Sequence, residues 1–235
     1  MPEPARLLFP APAFPTVPVR GEDAVYPVHR VFCVGRNYVE HAKEMGLEVD
    51  REAPFYFLKS ALALVPTGAT VPYPPGTSNY HYELELVVAI GAPAFRASGG
   101  DAAKAVYGYA SGLDMTRRDL QLAERARQRP WDLGKDFEQA AVIAPITRAA
   151  GFGAVGDQRI SLAVNGATRQ DARLSDLVWS VPELISHLSR FYHLAPGDLI
   201  YTGTPAGVGP LVPGDAVVGR IDGLDPVELT VADPE

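Results

Sequence analysis

Short apolar runs separated by glycine and proline set the pattern of this chain. Val31-Phe32-Cys33-Val34-Gly35, Phe55-Tyr56-Phe57-Leu58-Lys59 and Leu86-Val87-Val88-Ala89-Ile90 are β-branched or aromatic and predict strands, the first and last entering a core. Ile160 to Val164 followed by Asn165-Gly166 predicts a hairpin, because Asn-Gly supplies the positive φ angles of a tight turn. Helical spacing is rarer. Asn37 can cap a helix through Val39-Glu40-His41-Ala42-Lys43-Glu44 that Gly46 ends. Residues 102–109 read as helical, leading to a strand or turn at Ala110-Ser111-Gly112-Leu113, and Asp114 opens a helix through Arg117, Arg118, Leu120 and Gln121. Ser180-Val181-Pro182-Glu183 is a capping box for a helix whose apolar Leu184, Ile185, Leu188 and Phe191 share one face.

Residues 66–79, with four prolines and two glycines, predict a loop holding at most a short strand. The proline-rich start predicts an extended arm over 1–30 with a short strand near Arg6-Leu7-Leu8-Phe9, leaving 31–235 as a single domain. Pro-Gly-Asp occurs at 196–198 and again at 213–215, each time before an apolar run, and reads as a pair of similar hairpins. Strands outnumber helices without regular alternation, so the fold class is α+β, mainly β, with a roll or barrel-like core and a few outer helices.

Composition narrows the function classes. A chain of 235 residues, 47% hydrophobic, is long enough for one well-buried core. A net charge of -7 argues against a nucleic-acid or anionic-membrane partner, so a small anionic ligand needs a local cationic site. Cys33 is the only cysteine, which suits a reducing compartment. Prolines at positions 2, 4, 10, 12, 15 and 18 break the apolar start, so it is neither a signal h-region nor a membrane span, and a cytoplasmic location is expected.

His81-Tyr82-Glu83-Leu84-Glu85 places its ionisable side chains on one face of a strand. Two carboxylates about 6 Å apart repel by roughly 3 kcal/mol at an effective dielectric of 20, so that face is either solvated or holds a cation. Asp114 is either a helix N-cap or a third carboxylate for that cation. His41 and Glu44, at i and i+3, form either a surface pair or a dyad whose carboxylate raises imidazole basicity for deprotonating water. The glycine-rich segment 203–209 lacks the lysine of a phosphate loop; it is a tight turn or a nest of amides, with the Thr204 hydroxyl, for a carboxylate.

Taken together these motifs resemble the fumarylacetoacetate hydrolase family, from Val34-Gly35-Arg36-Asn37-Tyr38-Val39-Glu40-His41 to Gly203-Thr204-Pro205-Ala206-Gly207-Val208-Gly209. Gly112-Leu113-Asp114-Met115-Thr116-Arg117-Arg118-Asp119-Leu120-Gln121 and Arg129-Pro130-Trp131, then Gly134-Lys135, look like its acylpyruvate-hydrolase branch. The resemblance implies a mixed β-roll, assembled as a homodimer. It implies that Glu83, Glu85 and Asp114 bind Mg2+ or Mn2+, and that His41 with Glu44 activates water on a segment that closes as a lid in relatives. Lys135 would stabilise an oxyanion, and Arg36, Arg118, Gln121 and Thr204, with Lys59, would contact substrate. The implied reaction is hydrolysis of a carbon–carbon bond in a 2,4-diketo acid such as fumarylpyruvate; the alternative is decarboxylation or tautomerisation of oxaloacetate at the same metal. A distal carboxylate on the substrate would need a further cation, for which Arg30, Arg36, Arg117 and Arg129 are candidates. Two positions depart from the family pattern: Ser60 follows Lys59 where many relatives have proline, and Asp136 adds an acid after Lys135.

Overall fold

The fold was analysed in a computed structural model, which describes residues 7–46 and 51–235. Its centre is a mixed sheet in the order Phe55–Lys59, Arg30–Gly35, Asp198–Tyr201, Leu84–Ile90, Val106–Asp114, Ala141–Ile143 and Leu64–Pro66. Asp198–Tyr201 runs parallel to Arg30–Gly35 and antiparallel to Leu84–Ile90. A five-stranded sheet follows the order Ala167–Arg173, Arg159–Val164, Ala216–Ile221, Val227–Ala232, Ala69–Pro72. This is the mainly-β α+β roll expected from the strand pattern.

Strand parity explains why the central runs are apolar throughout. Leu84, Leu86, Val88 and Ile90 enter a large core with Leu162, Val217, Leu229 and Val231 of the five-stranded sheet. Val87 and Ala89 enter a second core with Val31, Cys33, Ala110, Ile143 and Tyr201. With both faces buried, the run 86–90 has no polar side to present. Each fully buried Val or Leu contributes about 1.5–3 kcal/mol relative to exposure. Val17, Val19, Tyr26 and Val28 are part of the second core, while Leu7, Leu8, Phe9 and Phe14 are exposed.

Several local expectations are corrected. The helix placed at 102–109 is Gly99–Lys104, capped by Ser98, and Val106 already belongs to the long strand. Val106, Tyr107 and Tyr109 are β-formers, and pairing with Leu84–Ile90 decides their state. Asp114 ends that strand instead of opening a helix; the helix is Arg118–Ala126, after the two-residue strand Thr116–Arg117. Asn37 does not cap Val39–Glu44, because its amide is committed to Trp179 and to the Thr202 carbonyl, and Tyr38 takes the cap position. Leu7, Leu8 and Phe9 form no strand, and Arg6 lies outside the described residues. Each Pro-Gly-Asp turn does precede a strand, but only the second leads into a hairpin: Asp198–Tyr201 pairs with distant strands, whereas Ala216–Ile221 pairs antiparallel with the next strand, Val227–Ala232. The Asn165-Gly166 hairpin and the Ser180–Glu183 capping box form as expected.

Candidate active site

Backbone register brings the acidic triad together. Leu84 lies opposite Leu113 and Glu85 opposite Gly112, and the Asp114 amide donates to the Glu83 carbonyl at 2.9 Å, one rung further. Alternation then sends Glu83, Glu85 and Asp114 to one face, and one carboxylate oxygen from each lies within 4.8 Å of the others. All three are buried. Gly203, at φ 99°, turns its amide onto Glu85 Oε2 at 2.8 Å, a conformation that favours glycine.

Cations surround two of these acids. Lys135 Nζ donates to Glu83 Oε2 (2.8 Å), Asp114 Oδ2 (2.7 Å) and the Thr116 hydroxyl (2.8 Å). Arg118 bridges Glu83 and the Gln121 side chain. Lys59 Nζ sits 2.9 Å from Asp114 Oδ1 and donates to the carbonyls of Met115 and Lys135. Burial pushes the Glu83 carboxyl up, but Lys135 and Arg118 outweigh it and hold the group far below the carboxylate range. Burial also pushes Lys135 down, and Asp114 with Glu83 more than restores it. Glu85 differs: burial, then Asp114 and Glu83, drive its carboxyl well up, and no basic side chain pairs with it among the described residues. A buried, like-charged carboxylate of this kind is what a bound cation neutralises, so the triad fits a hard divalent metal.

The dyad lies beside it. His41 Nδ1 is 3.1 Å from Glu44 Oε2, which leaves Nε2 as the free ring nitrogen. The Gly207 amide points at both Glu44 oxygens at 3.2 Å. The glycine-rich segment therefore cradles carboxylates, but they are the protein's own Glu44 and Glu85. Thr204 is held by Gln170, whose Nε2 donates to its hydroxyl at 2.8 Å, leaving that hydroxyl's proton free to donate. Gln170 is fully buried and also ties Leu84 through its Oε1. Its sequence context, Thr168-Arg169-Gln170-Asp171, has the polarity of a surface strand and carries no signal of this role.

A cleft of about 500 Å³, open to solvent, joins these groups. Arg36, His41, Glu83, Glu85, Arg118 and Gln121 line it, as do Lys135 and Thr204. Lys59 does not: it is buried, with protein acceptors around its ammonium. Glu44 and Asp114 support the lining from behind through His41 and Lys135. The two departures from the family pattern meet, as the Ser60 amide donates to Asp136 Oδ1 at 2.7 Å. Proline has no such donor, and Asp136 is exposed, outside the triad.

Comparison with known proteins places this fold in a family. The family model described as fumarylacetoacetate (FAA) hydrolase C-terminal matches residues 30–232. A fumarylpyruvate hydrolase from Ralstonia sp. is 54% identical over 193 residues, covering 81% of this chain and 100% of its own. An oxaloacetate tautomerase of Escherichia coli is 39% identical over 201 residues, 84% of this chain and 90% of its own. The crystal structure of fumarylpyruvate hydrolase from Pseudomonas aeruginosa in complex with Mn2+ and pyruvate superposes with a TM-score of 0.93 at 47% identity, covering 97% of this chain and 100% of that one. The chain belongs to the fumarylacetoacetate hydrolase family.

Proposed function

We propose that this chain is a metal-dependent hydrolase of 2,4-diketo acids that splits fumarylpyruvate into fumarate and pyruvate. The observation that carries the reading is one cleft lined by Glu83 and Glu85 of a buried carboxylate triad and by His41, with Asp114 and Glu44 directly behind them. The likeness to two fumarylpyruvate hydrolases supports the choice of acid. Glu83, Glu85 and Asp114 would hold Mg2+ or Mn2+, which would supply Lewis acidity and a template for the keto-acid end of the substrate.

The chain's own residues do the rest. Glu44 fixes the His41 ring, and the free Nε2 takes a proton from water as its oxygen bonds to C4. The C3–C4 bond breaks, its electron pair remains with C3, and C3 takes up a proton to give pyruvate. The Lys135 ammonium places a fixed positive charge where oxygen charge develops, and Arg118, Gln121, Thr204 and Arg36 orient the acid. Lys59 acts through Asp114, beside which its ammonium is buried. The catalytic unit is 31–235. The reading extends to a cytoplasmic homodimer, in keeping with the free, buried Cys33. No helix among the described residues is long and apolar enough to cross a membrane.

The test offers fumarylpyruvate and oxaloacetate in parallel, with Mg2+ or Mn2+ and with chelator, following substrate absorbance and pyruvate. Chelator-sensitive cleavage of fumarylpyruvate, with oxaloacetate much slower, is expected. The reverse ranking would make the chain an oxaloacetate tautomerase or decarboxylase. Light scattering after gel filtration checks the dimer.

A further inference from the structure

The cleft holds more positive charge than the triad uses. Glu83 and Asp114 of the triad are met by Lys59, Lys135 and Arg118. Two further guanidiniums, Arg36 and Arg125, line the same cleft, and among the described residues neither forms an ion pair with a carboxylate. The other arginines considered from sequence are placed elsewhere. Arg30 is bound to Asp198 at 2.6 Å, Arg117 lies over the Phe137 ring, and Arg129 is exposed and absent from the lining.

Helix geometry sets the position of Arg125. Arg118, Gln121 and Arg125 stand at i, i+3 and i+7 of the Arg118–Ala126 helix, so they share the face that lines the cleft. Seven residues at 1.5 Å each place the Arg125 backbone about 10 Å along the helix from Arg118, which holds Glu83. Arg125 is half-buried and anchored by Nη1 donating to the Met45 carbonyl at 3.4 Å. Arg36 has a left-handed backbone, φ 62°, which is uncommon for a residue with a Cβ, and its guanidinium lies 5.5 Å from the Phe55 ring centre. Burial and then the nearby charge of Arg125 hold the Arg36 guanidinium below its ordinary value. Two guanidiniums facing one cleft, neither paired with a carboxylate among the described residues, form a receptor for a carboxylate.

We propose that Arg36 and Arg125 bind the distal carboxylate of the substrate and make the enzyme selective for dicarboxylic over monocarboxylic diketo acids. This rests on the hydrolase reading above. In extended fumarylpyruvate the second carboxylate is about 7–8 Å from the first, from bond lengths near 1.5 Å. That span fits an acid with its keto-acid end at the triad and its far end at Arg125. Phe57 and Trp131, which also line the cleft, offer apolar surface to the alkene between.

The experiment compares kcat/KM for fumarylpyruvate and for acetylpyruvate, the diketo acid without the distal carboxylate, in wild type, R125Q, R125K and R36Q holoenzyme. The wild-type ratio should favour fumarylpyruvate. In R125Q and R36Q that ratio should fall by about tenfold or more, mainly through KM for fumarylpyruvate, with R125K intermediate. A general structural fault would lower both substrates together and leave the ratio unmoved. A ratio unchanged in both glutamine variants overturns the inference while leaving the hydrolase reading intact. Metal-dependent turnover of neither acid by wild type overturns the hydrolase reading, and this inference with it.

Discussion

The role proposed for His41 rests on a single carboxylate three residues away. With Nδ1 held by Glu44, the free ring nitrogen is the one able to take a proton from water. His41→Ala is expected to lower kcat by about 10²–10⁴-fold, with Mn2+ affinity by calorimetry nearly unchanged; wild-type turnover would remove the dyad from the mechanism. Glu83→Ala should abolish metal binding and activity together, because it also frees Lys135 and Arg118 beside the remaining acids. A Glu83→Ala protein that still binds Mn2+ and turns over would remove the triad. At this scale the sequence was informative where chemistry is local. Glu83 and Glu85 share a face by parity, and His41 and Glu44 by helical spacing. Gln170 and Arg125 were not legible, because a polar residue in a polar run looks the same whether its side chain meets solvent or a cleft.

Elements meet closely around Lys135. A Cβ on Gly134 would lie 2.7 Å from the Gln121 amide nitrogen and 2.8 Å from its Cα, both backbone-bound and unable to move cheaply. Gly134→Ala should therefore destabilise the fold by about 1–3 kcal/mol in urea titration, and lower activity by shifting Lys135 and Gln121. The Val181–Leu188 helix gives a separate prediction. Ser180 and Glu183 close its first turn reciprocally, and Ser180→Ala should cost about 1 kcal/mol. Hydrogen bonds from the Ser180 hydroxyl and amide hold the Glu183 carboxyl below its ordinary value. Its contribution is thus present above the ordinary carboxylate range and lost as pH falls through it. The stability gap between wild type and Glu183→Gln should shrink from pH 7 to pH 3; a gap independent of pH would count against the box. The capping box was readable because all its partners lie within four residues. Residues 102–109 misled because Val106 and Tyr109 take their state from Leu84–Ile90, which lies outside any local window.

For the molecule as a whole, a triad that binds metal should couple that metal to stability. Three buried carboxylates converge from two strands, and among the described residues no basic side chain pairs with Glu85, so a divalent ion that binds only the folded state should stabilise it. At a hundredfold excess over Kd the gain is about 2.7 kcal/mol, and Tm should rise by several degrees with Mn2+ and return with chelator. An unchanged Tm would argue that the triad holds no metal. The sequence by itself determined the mainly-β class, the central strands around 31–35, 55–59 and 86–90, the Asn165-Gly166 hairpin, the capped helix and the shared faces of Glu83 with Glu85 and of His41 with Glu44, since these follow from alternation, turn residues and spacing. Only the tertiary structure decided that Asp114 is a strand end facing Glu83 and Glu85, that Lys59 turns from the cleft, and which arginines face it. Those outcomes depend on pairing between segments far apart in the chain, and on register, where a shift of one residue would send every carboxylate to the opposite face.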